Sequence, residues 1–320
     1  MQNVLGLDIG GTKCAVLLGG YDGETFVIHK KAVLPTDPAA SPQVMFEALC
    51  HKADELLEET ALDAIGISCG GPLDPERGII QRPPNLPLWD EIPLTEWLHK
   101  RYRVPARLQN DADACALAEW KLGAGRGARN LVFLTFGTGL GAGLILNGQL
   151  YQGSRFMAGE VGHIRLAEEG PAGFGKDGSF EGFCSGGGLT QLGYTLSLAQ
   201  HQRGNTPPFF WPGQPQGGIT AKVMAEAAEQ GDPTAQEIYR RCGRYLGRGL
   251  SVLIDILNPD CIVLGSIFAR SEMLLRPEME RVLAEETLPA SLAACRIVPA
   301  ALGESLGDYA ALVTAVAKET

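Results

Sequence analysis

The sequence predicts an α/β protein built from two related domains that face each other across a cleft. At 320 residues the chain is longer than one small core requires and suits two domains of ordinary size. A strand, a turn rich in glycine and threonine, and a second strand occur at 4–18 and again at 130–151. Each half therefore opens with the same kind of element, as expected for two domains of related design.

Composition and charge are those of an ordinary globular protein, with 45% hydrophobic and 20% charged residues and a net charge of −10. Nucleic-acid binding needs a basic face, and no run of Lys and Arg exceeds two residues, so we expect no nucleic-acid partner. Neither a signal peptide nor an apolar run of about 18 residues occurs, so we expect a cytoplasmic protein without membrane contact.

Eight cysteines are scattered along the chain without a C-x-x-C pair. This spacing predicts neither a disulfide framework nor a cysteine-based zinc site. Most of these thiols are expected to be buried in a reducing compartment.

Further elements follow from periodicity and from helix-capping residues. Ser41 and Pro42 are expected to start a helix over 41–60, as N-cap and first helical residue. Other predicted helices cover 92–104, 112–125, 219–258 with a break at 231–233, and 307–319. Predicted strands cover 63–71, 106–111 and 260–268, the last running into a turn of small residues, and 202–218 is predicted to be a surface loop.

The stretch LDIGGTK (7–13) breaks an apolar strand with an acid, two glycines, a threonine and a lysine. Gly10 and Gly11 can adopt positive φ and present their amides to a ligand, and Thr12 and Lys13 add a hydroxyl and a cation. Such a turn suits a phosphate, provided that a nucleotide-bound Mg²⁺ separates it from Asp8. The alternative is an ordinary hairpin with a solvated aspartate.

A second open stretch, TFGTGLGAG (135–143), can hold another anionic group through the Thr135 and Thr138 hydroxyls and closely spaced glycine amides. Two such turns in two domains suit one nucleotide held in a cleft. A glycine-rich hairpin without a ligand is the alternative.

Two better-known nucleotide motifs are matched only superficially. GPAGFGKD (170–177) has Asp177 where a P-loop requires the magnesium-binding Ser or Thr. GAGRGA (123–128) follows a helix and precedes a strand, the reverse of the order that a dinucleotide-binding fold needs. Neither a P-loop NTPase nor a Rossmann dehydrogenase is therefore expected.

A third cluster joins QNDAD (109–113) and AGEVGH (158–163). Asn110 and Asp111 fall at the end of a predicted strand, where an acid can accept a proton from a substrate hydroxyl. Glu160 and His163 are three residues apart among glycines, so both can enter one cavity. Charged groups on such a frame suit a polyhydroxylated ligand, whereas a helix-capping Asp111 and a merely exposed Glu160 are the alternatives.

Taken in order, these motifs resemble the ROK family of sugar kinases and sugar-responsive repressors, and the match covers nearly the whole chain. The matching segments are LDIGGTK, GISCGGPLD (66–74), PPNLPLW (83–89), QNDAD, FGTGLGAG (136–143), AGEVGH and NPDCIVLGS (258–266). The resemblance implies a two-domain actin/hexokinase-like (ribonuclease H-like) fold with an interdomain cleft. We expect domains at 1–110 plus about 305–320, and at 111–304.

The resemblance also implies roles for individual residues, with ATP and Mg²⁺ as cofactors. Asp111 is then the general base, and Asp8 acts near the Mg²⁺ of the nucleotide. The sugar is expected to contact Gly71, Asn85, Asn110, Asp111, Glu160, His163 and Glu181. The nucleotide is expected to contact Asp8, Gly10, Gly11, Thr12, Lys13, Thr135, Gly137, Thr138, Gly139, Gly265 and Ser266.

One segment departs from the family pattern. The family commonly holds a structural zinc with a histidine and three cysteines, but those cysteine positions are Ala172, Phe174 and Ser179 here. We therefore expect no zinc, a loop held by packing through Phe174 and Phe180, and a sugar contacted directly by His163 and Glu181.

The expected activity is transfer of the ATP γ-phosphoryl group to a hexose, as in a glucokinase or fructokinase, or to an N-acetylhexosamine. A non-catalytic, sugar-sensing regulatory protein of the same family is the alternative. Repressors of the family usually carry a DNA-binding domain before the first phosphate segment, and only four residues precede Leu5, which favours the kinase. A homodimer is expected from relatives, and the identity of the sugar does not follow from the sequence.

Overall fold

The computed structural model describes residues 1–317, in which the chain forms fourteen strands and ten α-helices. The strands are β1 (Gln2–Ile9), β2 (Lys13–Tyr21), β3 (Phe26–Pro35), β4 (Ala64–Cys69), β5 (Leu73–Asp74), β6 (Ile79–Ile80), β7 (Ala106–Asn110), β8 (Leu131–Leu134), β9 (Ala142–Leu146), β10 (Gln149–Leu150), β11 (Ala172–Gly173), β12 (Lys176–Asp177), β13 (Cys261–Leu264) and β14 (Arg296–Pro299). The helices are α1 (Pro42–Leu57), α2 (Leu94–Tyr102), α3 (Asp111–Lys121), α4 (Phe180–Phe183), α5 (Gly186–Gln202), α6 (Ala221–Glu229), α7 (Pro233–Leu257), α8 (Ser266–Glu286), α9 (Pro289–Ala294) and α10 (Leu306–Val316). Among these described helices, none combines the length and the apolar character that a bilayer crossing requires.

The chain divides into two compact units. The first contains Met1–Gly127, Gly143–Ala158 and the chain from Ala301 onward, and the second contains Ala128–Ala142 and Gly159–Ala300. These ranges differ from the predicted domains, because α3 packs against α10 and so belongs with the first unit. Of the predicted terminal helix over 307–319, residues 318 and 319 lie outside the described residues.

The first unit is built on a five-stranded sheet in the order β3-β2-β1-β4-β7. β1, β2 and β3 pair antiparallel, whereas β4 and β7 extend the sheet in parallel from β1. The carboxyl ends of β1, β4 and β7 therefore meet at one edge, where the register pairs Asp8 with Ser68, and Cys69 with Asn110. This edge is where ligands of α/β sheets usually bind.

Alternate residues of this sheet face two different helical layers. Leu5, Leu7 and Ile67 belong to a buried cluster that also contains Met45 and Leu49 of α1. α1 itself begins as the sequence predicts, since the Ser41 hydroxyl accepts a hydrogen bond from the Val44 amide and Pro42 is the first helical residue.

The opposite face packs against α10 through three glycines, which we call the glycine floor: Gly6 of β1, Gly19 of β2 and Gly66 of β4. A Cβ atom at Gly6 or Gly19 would lie about 3 Å from the Leu312 side chain (3.1 and 2.9 Å). At Gly66 it would overlap the Ala311 carbonyl oxygen and the Ala315 amide of α10. The helix can approach the sheet this closely only because these three positions lack side chains.

Glu119 of α3 is a fully buried acid that sequence analysis did not single out. Its Oε2 accepts hydrogen bonds from the amides of Ala124 (2.8 Å) and Ala301 (3.2 Å), and its Oε1 accepts one from Leu302 (2.9 Å). A buried carboxylate is tolerated when backbone donors satisfy it in this way. Glu119 thus ties α3 to the segment that leads into α10.

We expect Glu119→Gln to destabilise the protein by about 2 kcal/mol, because an amide nitrogen cannot accept a bond and leaves at least one buried N–H without a partner. Urea unfolding measures the change, and Glu59→Gln, at an exposed position, should leave the midpoint unaltered. Equal stability of the two variants would contradict the role assigned to Glu119.

The second unit contains the parallel strands β8, β13 and β14, with β13 in the middle. α7 begins at Pro233 after the Asp232 N-cap and ends at Leu257, followed by the C-cap Asn258 in the left-handed conformation (φ 43°). The predicted helical segment and its break are thus confirmed. The strand predicted over 260–268 ends at Leu264, and α8 follows at once. The segment 202–218 is largely loop, although Phe209 and Phe210 within it are buried rather than exposed.

Candidate active site

The first glycine turn joins β1 to β2 and lies beside the predicted sugar loop. Gly10 and Gly11 do not have the positive φ that the sequence suggested. Glycine is required here for space instead, because a Cβ at Gly11 would lie 2.5 Å from Asn85 Cβ. Thr12 and Lys13 are exposed, so their side chains are accessible to a ligand.

Thr36, the residue directly after β3, fixes the shape of this turn. The sequence did not reveal this role. Its hydroxyl donates to the Gly10 carbonyl (2.6 Å) and its amide donates to the Thr12 carbonyl (2.9 Å). The Gly10 amide also donates to the Lys13 carbonyl (3.1 Å). The turn is therefore preorganised before any phosphate binds.

Asp8 lies near the end of β1, where the charges of two other acids, Asp111 and Asp308, act on its carboxyl group. Burial, together with the negative charges of Asp111 and Asp308, raises its pKa to about 6, although Lys31 and Lys13 oppose this shift. Lys31 donates to Asp308 at 2.7 Å. Asp308, in the first turn of α10, and Lys31 were not predicted as part of the site.

Mg²⁺ prefers hard oxygen ligands and is commonly held by one or two carboxylates together with substrate phosphates. Among the described residues, no cluster of three or more His, Cys, Asp or Glu side chains could hold a metal by itself. Asp8 offers one carboxylate of this kind at the penultimate position of β1, two residues before Gly10 of the first glycine turn. A bound cation would also favour the ionised form of Asp8 and lower its pKa.

The raised pKa predicts how stability depends on pH. Because the folded protein holds the Asp8 proton more tightly than the unfolded chain (pKa about 6 against 3.8), this contribution is complete below about pH 4 and is lost as pH rises through 6. Asp8→Asn should therefore flatten the stability profile between these values and add roughly 2 kcal/mol at neutral pH. Urea unfolding across this pH range tests the expectation.

The exposed Asp37→Asn serves as the control and should keep the wild-type profile. If Asp8→Asn also keeps that profile, Asp8 does not titrate as described.

Asn110 and Asp111 form the junction between β7 and α3. Asn110 is the N-cap, with its Oδ1 accepting from the Ala112 amide at 2.9 Å, so the alternative of a capping Asp111 is wrong. Asp111 is the first helical residue and its Oδ1 also accepts from the Ala112 amide (2.8 Å). Its side chain remains accessible, while desolvation by surrounding protein raises its pKa.

Gly71 lies next to this junction. A Cβ at Gly71 would lie 3.0 Å from the Asn110 amide nitrogen Nδ2. The first unit thus brings together Asp8, the first glycine turn with Asn85, and Gly71 with Asn110 and Asp111 at the carboxyl edge of its sheet.

The second glycine turn, at 135–141, is closed by hydrogen bonds within the second unit. The Thr135 hydroxyl accepts from the Gly141 amide (2.9 Å) and the Thr135 amide donates to the Gly141 carbonyl (3.0 Å). The Gly137 carbonyl accepts from the Gly186 amide at the start of α5 (2.8 Å). Thr138 is exposed, whereas the Thr135 hydroxyl stabilises the turn itself.

Glu181 of α4 contacts this turn. The sequence predicted only a sugar contact for this residue. Its Oε2 accepts from the Leu140 amide at 2.9 Å and would lie 2.8 Å from a Cβ at Gly139. Glycine at 139 therefore leaves room for the carboxylate. One oxygen of Glu181 is thus engaged in positioning the turn.

The segment around His163 is a 3₁₀ turn, Val161–His163, in which Glu160 and His163 are both exposed. The His163 ring packs edge-on against the Phe174 ring, with centroids 5.4 Å apart. Lys176 Nζ donates to the His163 carbonyl at 2.6 Å. The β11–β12 hairpin is thereby tied to the predicted sugar-binding turn.

The loop that lacks the family cysteines is held by other contacts. Gln191 of α5 both accepts from the Ala172 amide (3.0 Å) and donates to its carbonyl (2.8 Å), and the Ser179 hydroxyl caps α4. Phe180 is fully buried, but Phe174 is 71% exposed, so only one of the two predicted phenylalanines packs in the interior. A methyl, a phenyl and a hydroxyl group at the cysteine positions do not fit zinc.

Gly265 and Ser266 lie where β13 meets α8. Ser266 has a φ of 36°, in the region that favours glycine, and Arg270 Nη2 donates to its hydroxyl at 2.6 Å. The hydrogen bond holds the Ser266 side chain against α8.

Two glycine turns with exposed threonines, and an exposed acid at a strand–helix junction, are features that phosphoryl-transferring proteins of the α/β class use. The ROK family model matches residues 4–317, and the chain belongs to the ROK family. A glucokinase of Streptomyces coelicolor is 33% identical over 266 residues, covering 83% of this chain and 82% of the relative. An N-acetylmannosamine kinase of Escherichia coli O1:K1 is 31% identical over 289 residues, covering 89% of each.

The solved structures include a ROK family glucokinase from Streptomyces griseus in complex with glucose and AMPPNP. It superposes with a TM-score of 0.78 at 29% identity, covering 98% of this chain and 99% of that one. These similarities confirm the predicted family and the actin/hexokinase-like fold.

Proposed function

We propose that the protein is an ATP-dependent sugar kinase that phosphorylates a hydroxyl of a hexose such as glucose, or of an N-acetylhexosamine. Relatives named glucokinase and N-acetylmannosamine kinase, aligned over most of their length, support this class. The observation that carries the proposal is Asp111, an accessible acid with a raised pKa at the start of α3, beside Asn110 and Gly71.

In the proposed reaction Asp111 accepts the proton of the attacking sugar hydroxyl. Its raised pKa is closer to neutral pH than that of an ordinary aspartate, and a general base is most effective when its pKa lies near the working pH. The sugar oxygen forms a bond to the γ-phosphorus while the bond to the bridging oxygen breaks, and that electron pair leaves with ADP. The proton resides on Asp111 until product release.

The remaining groups bind and orient the reactants. Asn85, Asn110 and Gly71, together with Glu160, His163 and Glu181, are proposed to hold the other sugar hydroxyls. The proposed phosphate ligands are Gly10, Gly11, Thr12 and Lys13 from the first turn and Thr135, Gly137, Thr138 and Gly139 from the second, with Gly265 and Ser266 beside the nucleotide. Mg²⁺, which Asp8 is proposed to hold, supplies neutralisation of phosphate charge. A homodimer and a cytoplasmic location stay predictions from the family resemblance.

A coupled ADP-release assay with ATP and Mg²⁺ tests the proposal against glucose, fructose, mannose, allose and the N-acetylhexosamines. We expect turnover with a hexose or an N-acetylhexosamine from this panel. No turnover with any sugar, combined with a sugar-dependent rise in Tm, would favour the non-catalytic, sugar-sensing alternative.

A further inference from the structure

A cavity of about 660 Å³ lies within the first unit, and its described lining residues include none of those proposed to bind sugar or nucleotide. Its walls come from β7, the last turns of α3 and α10, and the hairpin formed by β9 and β10. The volume falls within the range of small-molecule sites in proteins. We refer to it as the β7 cavity.

The charges that line the β7 cavity are mainly positive. Arg107 of β7 and Lys121 of α3 contribute two cations, whereas Glu76 is the single acid among its described lining residues. Gln109, Gln149 and Gln152 add amide groups, and Trp120 and Leu117 provide apolar surface. This combination suits a ligand that has both an anionic group and an apolar part.

Arg107 lines the β7 cavity and is also anchored to α10. Its Nη1 donates to the Ala315 carbonyl at 2.6 Å, but its Nε is buried without a hydrogen-bond partner in the described chain. Because the Nε atom is buried, a ligand in the cavity meets the guanidinium only through its other N–H groups.

From these observations we infer that the β7 cavity binds a small organic anion, whose carboxylate or phosphate group meets Arg107 and Lys121 while its apolar part packs on Trp120. The inference that an anion binds in the β7 cavity does not depend on the proposed kinase activity. Both acid types present the acceptor geometry that a guanidinium recognises.

The cavity is connected to the catalytic junction through one residue. Gln109 lines it, and the Gln109 Oε1 accepts from Gln152 Nε2 (2.9 Å) and from the Asn110 amide (3.3 Å). Asn110 in turn caps the helix that carries Asp111. We therefore expect a bound anion to alter the sugar KM, an expectation that rests on the proposed function.

Tryptophan fluorescence tests the site directly, because Trp120 lines the cavity. The probes are citrate, phosphoenolpyruvate and fructose 1,6-bisphosphate, with sucrose as an uncharged control. We expect at least one anion to shift the emission of the wild-type protein and not that of Trp120→Phe. Arg107→Met and Lys121→Met should each weaken binding about tenfold, the loss expected for one charge-assisted hydrogen bond.

Lys100→Met is the matched control, since Lys100 is exposed on α2 and pairs with Glu96 outside the cavity. Arg107→Met also removes the hydrogen bond to the Ala315 carbonyl of α10. If that loss unfolds Arg107→Met, Lys121→Met still tests the site. If no anion shifts the Trp120 signal at about 10 mM, or if Lys100→Met weakens binding as much as Lys121→Met, the inferred site is wrong. If an anion binds while the sugar KM stays constant, the connection through Gln109 is wrong.

Discussion

Asp111→Asn should lower kcat by roughly a thousandfold, because the amide cannot accept the proton of the sugar hydroxyl. The substitution keeps an Oδ1 atom that can accept from the Ala112 amide, and Asn110 still caps α3, so the fold is expected to persist. Since the proton transfer occurs only in the transition state, kcat and kcat/KM should fall together. Steady-state kinetics on the sugar with the highest turnover measures both.

Asp37→Asn is the control for this experiment, because Asp37 is an exposed acid that accepts a hydrogen bond from the Ala39 amide and lies outside the site. It should retain wild-type turnover. Near-normal kcat in Asp111→Asn, with its thermal unfolding unchanged, would exclude Asp111 as the base.

Gly66→Ala should destabilise the protein by more than about 3 kcal/mol, because the added methyl group overlaps backbone atoms of α10 that no side-chain rotation can move aside. Gly6→Ala should have a smaller effect, of about 1 kcal/mol, since the nearest atoms to its methyl group are side-chain atoms of Leu312 (3.1 Å) and Ala311 (3.2 Å) and no backbone atom overlaps it. Denaturant unfolding measures both values.

Gly217→Ala is the matched control, since a Cβ there would meet no atom within 4 Å. Its stability should stay close to that of the wild type. If Gly66→Ala unfolds at the same denaturant concentration as Gly217→Ala, the close packing of α10 on the glycine floor is not required for stability.

The strands and helices with clear local signals could be predicted from the sequence. Ser41 and Pro42 mark the start of α1, and Asp232 and Pro233 mark the start of α7. α5 and α8 were missed for identifiable reasons. α5 begins with three successive glycines, which are typical of a loop, and α8 contains Pro277 and a non-helical Ser271, which interrupt its pattern.

The site was predictable where residues form a contiguous motif and not where the fold brings distant residues together. Asn110 and Asp111 adjoin in sequence and meet at a strand end as expected. Lys31 and Asp308 are 277 residues apart, and nothing local associates either with Asp8. The glycines of LDIGGTK were recognised for the wrong physical reason, because the turn needs the space beside Asn85 rather than positive φ.

The glycine floor also constrains the order in which the chain folds during synthesis. α10 is made after the whole of the second unit, yet it covers a face of the sheet whose first strand begins at Gln2. Contacts of such long sequence separation form late, because closing a long loop is entropically unfavourable. The nascent sheet therefore keeps one face uncovered while the second unit is synthesised, and the first unit can be completed only after α10 has been made.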